Sequence, residues 1–373
     1  MAIKHAKLSA SGSSRWLNCP GSVAAEAELP EQGSSPFAQE GTAAHELADI
    51  CLKTGASPDS FIGQMVEGVE VDGAMADHVA GYVSFVLSHG GDHFYEQRVD
   101  FSPWVPEGFG TSDAIAINGQ DVHIIDLKYG KGVVVDATEN SQAMLYALGV
   151  VNDFGWMLPD SPVFHLHIYQ PRVSNFSSWS VTLADLLKWG EWVKLQADTA
   201  TGPDAERNPG EKQCRWCRAA GRCQTLLKYT ERLISAEFED LDHLDDPHTL
   251  TPANVADVLS HKKLITGWLD AVEAYALELA NDSRLPGYKL VAGRSLRQWA
   301  RDLDPIVIEQ ALGEQAYEKK LVSVAKAEKM LGKQHFAEQL AALVVKPDGK
   351  ATLVPNSDPR RALGDVADCF EII

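Results

Sequence analysis

An α/β fold, with a central sheet covered by helices on both faces and a mainly helical C-terminal region, follows from three features of the 373-residue chain. Two apolar runs, 114–117 and 122–127, flank Asn118-Gly119-Gln120-Asp121, a turn sequence that supplies positive φ at low steric cost and so predicts a β-hairpin. Both runs are apolar on both faces, with Ile115, Ile117 and Ile124 on one side and Ala116, Ile125 and Leu127 on the other, the mark of strands buried between helical layers. Helical segments surround them, at 36–53 and 185–200 and again beyond 251.

Composition bounds the function. The length accommodates one large domain with appendages or two domains. The balance of charged and apolar residues is that of a soluble globular protein, and no segment has the continuous apolarity of a membrane span. Lys4 and Lys7 lead into Ser, Gly and Arg15 rather than an apolar core, so no secretory signal is read and a cytoplasmic protein, free of membrane, is expected. A net charge of -19 argues against a broad nucleic-acid-coating surface but leaves room for a local basic groove.

Ser35-Pro36 opens the first long helix, with Pro at its first position. Phe37, Ala44, Leu47, Ala48 and Cys51 form its apolar face, Gly41 would permit close approach to a neighbouring backbone, and His45 stands one turn further on. A strand, FYEQRVDF, carries Glu96. In the hairpin that follows, period-two alternation puts Asp113, Asp126 and Lys128 on one face. Asp113 is directly opposite Asp126 if all four turn residues form the loop, and diagonal to it if only Asn118 and Gly119 do. Like charges facing across a hairpin are destabilising unless a cation sits between them, so the arrangement implies a metal. The next helix presents Gln142 and Tyr146 on one face. Strands are read at 163–169 and 178–183, and Arg172, after the first of these, is a candidate phosphate contact.

The cysteines divide unequally. Cys214, Cys217 and Cys223 lie in QCRWCRAAGRCQ, Cys19 lies far upstream in WLNCPGS, and Cys51 and Cys369 have the surroundings of small buried apolar residues. Clustered cysteines in a cytoplasmic chain signal metal more often than disulfides. Four thiolates suit structural Zn²⁺ or an iron-sulfur cubane, and three local ligands with one remote partner favour iron-sulfur over the paired Cys-x-x-Cys of zinc ribbons.

Past residue 230 the composition shifts. An acidic stretch at 237–246 precedes a helix from Thr251-Pro252 to about 282. Arg284, Lys289, Arg294, Arg297 and Arg301, interleaved with Tyr288 and Trp299, form a basic strand near 288–301 able to track a phosphate backbone. Further helices are expected at 305–312, 323–331 and 334–343. The chain is thus read as 1–230, 231–345 and a loop-like tail, 346–373.

Taken in order, Gly41-x-x-x-His45, Gly110-x-x-Asp113, Asp126-x-Lys128 and Gln142-x-x-x-Tyr146 resemble the motifs of the RecB-like branch of the PD-(D/E)XK nucleases. One cysteine before these motifs and three after them are similar to the branch closed by a 4Fe-4S cluster, which includes the CRISPR-adaptation nucleases and AddB-type helicase-nuclease subunits, and most of all to its phage-encoded stand-alone members. The likeness covers residues 9–227, and the leading Pro-Asp of the signature is Ser112-Asp113 here. It implies a restriction-endonuclease-like core with a mixed sheet. It implies His45, Asp113, Asp126 and the Leu127 carbonyl as ligands of Mg²⁺ or Mn²⁺, Lys128 as the residue that activates water, and Gln142 and Tyr146 as residues that position DNA, with Glu96 a further candidate. Cys19, Cys214, Cys217 and Cys223 would hold the cluster. The implied activity is DNA exonucleolysis in phage recombination or replication, alongside a single-strand annealing or single-strand-binding protein. The alternative is a non-catalytic DNA-binding accessory on the same scaffold.

Overall fold

The structure, a computed structural model, describes residues 6–30, 36–238, 252–282, 284–288 and 290, with isolated positions at 332, 335–336 and 343–344. Two short helices, α1 (Ser13–Trp16) and α2 (Ser22–Ala27), precede α3 (Pro36–Thr54). A small hairpin of β1 (Met65–Val66) and β2 (Val69–Glu70) leads into α4 (Gly73–Leu87), whose N-cap Asp72 accepts the Met75 N–H at 2.7 Å. Then come β3 (Asp92–Asp100), β4 (Phe109–Asn118), β5 (Asp121–Leu127), α5 (Ser141–Phe154), β6 (Val163–Gln170), β7 (Asn175–Thr182) and α6 (Leu183–Thr201). The chain continues with α7 (Glu211–Arg215), α8 (Gln224–Phe238) and α9 (Pro252–Asn281).

The five longer strands make one sheet in the order β3-β4-β5-β6-β7. All neighbours are antiparallel except β5 and β6, which run parallel and are joined across one face by α5. A parallel pair needs such a crossover, whereas antiparallel neighbours close with short turns. The sheet is therefore mixed, with helices on both faces, as expected from its two-sided apolar strands. On one face Ile115, Ile117, Val122 and Ile124 pack with α5 and α6 through Leu145, Leu148, Leu186 and Val193; on the other, Ala114, Ile125 and Leu127 pack with α3 and α4 through Ala44, Leu47, Val79 and Tyr82.

The hairpin loop is tighter than its sequence indicates. Asn118 pairs with Asp121, leaving Gly119 (φ 63°) and Gln120 as the turn. The register is the one that sets Asp113 opposite Asp126, one step beyond the last paired residues, Ala114 and Ile125. Gly41 differs from its expected role: a Cβ there would meet nothing within 4 Å, so it makes no close approach. Gly221 does, since its Cβ would fall 2.1 Å from the Ala271 carbonyl of α9.

Residues 1–291 form one compact unit and 292–373 another. The first includes α9, packed against α7 and the turn at 220–222, where Arg222 lies 4.3 Å over the Tyr275 ring and pairs with Glu278 at 2.8 Å. Lys289, Arg294, Arg297, Trp299 and Arg301 of the expected basic strand, the helices expected beyond it except at isolated positions, and the tail with Cys369 lie outside the described residues. No described helix is long and apolar enough to cross a membrane.

Candidate functional site

At the C-terminal end of β5 the pairing with β4 stops at Ile125 while that with β6 runs on through Leu127, and side chains take over on the β4 side. Asp113 Oδ2 accepts the Leu127 N–H at 2.7 Å, so a carboxylate occupies the place of the next ladder bond and its other oxygen points outward. His45 Nδ1 of α3 lies 3.3 Å from that oxygen, Asp113 Oδ1. Asp126 is buried, 3 % exposed. Lys128 Nζ sits in the fork of its carboxylate, 3.0 Å from Oδ1 and 2.8 Å from Oδ2, yet Oδ2 takes no hydrogen bond of good geometry. Gln142 of α5 completes the group: its amide nitrogen donates to Asp126 Oδ1 at 3.1 Å and its oxygen accepts from Lys128 Nζ at 3.1 Å. The structure thus brings together Asp113, Asp126, Lys128, His45, Gln142 and the Leu127 peptide.

Burial and mutual repulsion set the charges. Asp113 is held below the usual carboxylate range, because His45, Lys128 and the Leu127 N–H outweigh its burial. Asp126 is pushed up, since burial and the Asp113 charge outweigh Lys128. Burial opposes charge on His45, but Asp113, with help from Asp126, raises it to about 9. The same carboxylates raise Lys128 against its burial. Glu96, with φ 46°, leans in from β3, where lost hydration and the Asp113 charge raise it to about 7. Donor atoms of His45, Glu96 and Asp113 all lie within 4.8 Å of one another. The carboxylates of Asp113, Asp126 and Glu96 face a protonated His45 and the Lys128 ammonium; a divalent cation held on His45 would take the place of that proton.

Tyr146 stands further back than expected. It is 6 % exposed, its hydroxyl accepts from Gln142 Nε2 at 3.1 Å, and its ring fills the space above Gly110, where a Cβ would meet Cε1 at 2.6 Å. Arg172 is engaged rather than free, pairing with Glu40 of α3 and lying 4.8 Å over the Tyr129 ring. Gln170 gave no functional signal in the sequence, yet it is 1 % exposed and organises the loop after Lys128. Its amide nitrogen donates to the carbonyls of Gly130 (3.0 Å) and Val133 (2.8 Å), and its oxygen accepts the Val135 N–H at 3.1 Å. A glutamine closing an apolar strand was the available clue.

Cys19, Cys214, Cys217 and Cys223 line a single cleft. Backbone N–H groups of Asn208, Gly210 and Leu226 point at the sulfurs of Cys19, Cys214 and Cys223, at 3.3, 3.4 and 3.4 Å. Burial raises the thiols of Cys19 and Cys214, and that of Cys217 to about 11. The two segments that meet here are also joined by Glu26, which accepts the Arg218 N–H at 2.8 Å and pairs with Arg15 of its own segment at 2.8 Å.

The fold and its polar sheet end define an α/β protein with a candidate cation-binding site beside a lysine, and a separate cleft of four thiols. A family model described as a protein of unknown function (DUF2800) matches residues 5–361. The chain belongs to that family.

Proposed function

We propose that the chain is a metal-dependent DNA nuclease of the RecB-like PD-(D/E)XK type, an exonuclease processing ends in phage recombination or replication. One observation carries this reading: Asp113 and Asp126, on facing strands, share their space with Lys128 and with His45 contributed by a separate helix. The buried Asp126 Oδ2 without a hydrogen bond, and the donor group of His45, Glu96 and Asp113, fit Mg²⁺ or Mn²⁺. Asp113, Asp126 and His45 would hold the ion, with the Leu127 carbonyl alongside. Bound there, a hard divalent ion lowers the pKa of water and offsets charge on phosphate oxygens.

The remaining work falls to the chain. Lys128, fixed between Asp126 and Gln142, keeps a charged Nζ where an attacking water and a phosphate oxygen would meet. Gln142 holds that ammonium in place and Tyr146 holds Gln142, so Tyr146 is a positioning residue on this reading rather than a DNA contact. The four cysteines would carry a 4Fe-4S cluster as a structural clasp. Three ligands close in sequence with one remote partner, and backbone N–H groups aimed at three of the sulfurs, support the larger cluster.

End-labelled linear and circular DNA incubated with Mg²⁺ or Mn²⁺ tests the reading. Wild-type protein should degrade the linear substrate. Lys128→Ala should lose turnover by about a hundredfold or more while still binding divalent ions, as loss of one preorganised charge-stabilising group does. DNA bound but never cut by the wild type would replace this reading with the accessory-protein alternative.

A further inference from the structure

Five of the chain's twelve histidines gather at the other end of the sheet, on its other face. His123 of β5 and His165 and His167 of β6 project toward the α3 and α4 side, His89 follows the C-terminus of α4, and His93 opens β3. His123 and Asp126 lie three residues apart on β5, about 10 Å along the strand and on opposite faces, so this group is separate from the carboxylate site.

The rings are not all alike. His165 is fully committed, with Nδ1 to Ser180 Oγ and Nε2 to Asp121 Oδ1, both at 2.8 Å. His93 Nε2 is engaged by the Val86 carbonyl at 3.2 Å. The other three converge. His167, 8 % exposed, has Nδ1 on Ser178 Oγ at 2.8 Å, which leaves Nε2 facing His123 Nδ1 at 3.0 Å. His89 stacks on His123 with centroids 4.0 Å apart, and its buried Nε2 has no hydrogen-bond partner. Donor nitrogens of these three all lie within 4.8 Å of one another.

We propose that His89, His123 and His167 form a second metal site, taking Zn²⁺ or another late first-row divalent ion on three imidazole nitrogens. Nitrogen-only donors select such ions over Mg²⁺. An outer hydrogen bond on the far nitrogen, as Ser178 supplies to His167, is the usual device that fixes a ligand ring. Burial, reinforced by the neighbouring imidazoles, lowers His123 to about 4 and His167 to about 3, and it lowers His89 as well. Neutral imidazole is the form that binds metal. Asp121, beyond His165, offsets part of the added charge. His89 is held in position because Asn118 Nδ2 donates to its carbonyl at 2.9 Å and because Gly91, φ 77°, passes so near β4 that a Cβ would lie 2.1 Å from the Ile117 carbonyl. The ion would tie the end of α4 to β5 and β6, with its fourth position open to water.

Zinc uptake by the full chain carrying Asp113→Asn and Asp126→Asn tests this site apart from the carboxylate one. Equilibrium dialysis should show a tight equivalent that is lost in the histidine variants, and zinc-edge X-ray absorption should show an imidazole shell at about 2.0 Å. His167→Gln and His89→Phe should each weaken uptake about a hundredfold, and Ser178→Ala about tenfold. His89 is partly exposed beyond its helix and Phe retains the ring stack, so that variant decides the matter if His167→Gln does not fold. Absence of an imidazole shell, or an imidazole shell and uptake unchanged in His89→Phe, overturns the proposal.

Discussion

The Gly110 to Tyr146 contact shows how one absent methyl group reaches the polar site. Gly110→Ala would drive a Cβ to 2.6 Å from the Tyr146 ring; it should cost about 1–3 kcal/mol of stability, as overpacked cores do, and should lower DNA cleavage by displacing Gln142. Denaturant unfolding and the end-label assay measure the two effects. Asp126→Asn keeps an acceptor at Oδ1 for Gln142 and Lys128 but removes the charge. Cleavage should fall about a thousandfold in protein that circular dichroism shows to be folded. Full activity in Asp126→Asn would refute the assigned role. Asp113, Asp126, Lys128 and His45 were legible in the sequence because charged residues in an apolar strand stand out by spacing alone. The retracted place of Tyr146 was not, since it depends on a glycine thirty-six positions away across the sheet.

At the scale of elements, strands and long helices were readable wherever periodicity and turn chemistry agreed, as at α9 and β6. The connection between β5 and α5 was not, because its order comes from side chains distant in sequence. Gln170 satisfies one half of it and Asp136 the other, the latter accepting the Thr138 N–H at 2.8 Å and Ser177 Oγ at 3.0 Å. The Thr138 N–H, with Thr138 and Ser177 side chains, holds the Asp136 carboxyl below its ordinary value. A depressed carboxyl stabilises the fold above its unfolded pKa, and the contribution disappears as pH falls through the lower folded value. Wild type should therefore exceed Asp136→Leu in stability near pH 6, and the part of the gap due to ionisation should close as pH falls below the ordinary carboxylate value. A gap independent of pH in urea titrations would assign Asp136 to packing alone.

For the whole molecule, the cysteines and the nuclease-like motifs could be read together, but the packing of α9 on the cysteine turn could not. It rests on Gly221, and nothing in the local sequence names Ala271 as the partner. Cys217→Ser should give a colourless protein of lower melting temperature when wild-type and variant chains are purified anaerobically and followed by visible absorption and thermal unfolding. Loss of a metal that contributes folding free energy predicts both changes together. A variant as stable as wild type would remove the structural role proposed for the cluster.

Cys19 and Cys223 have the entire five-stranded sheet strung between them in sequence. During synthesis the strands leave the ribosome before the cleft's second wall exists, so the early domain must hold its first helices without thiolate help. The Glu26 to Arg218 bond has a similarly long span and arrives equally late, whereas the Arg15 to Glu26 pair is local and can form early. Ring closure over so many residues is entropically slow but only weakly dependent on further length, which makes the last-made wall a checkpoint: a chain cut short before Cys214 would carry every residue of the carboxylate site and lack the seal that keeps its two flanks together.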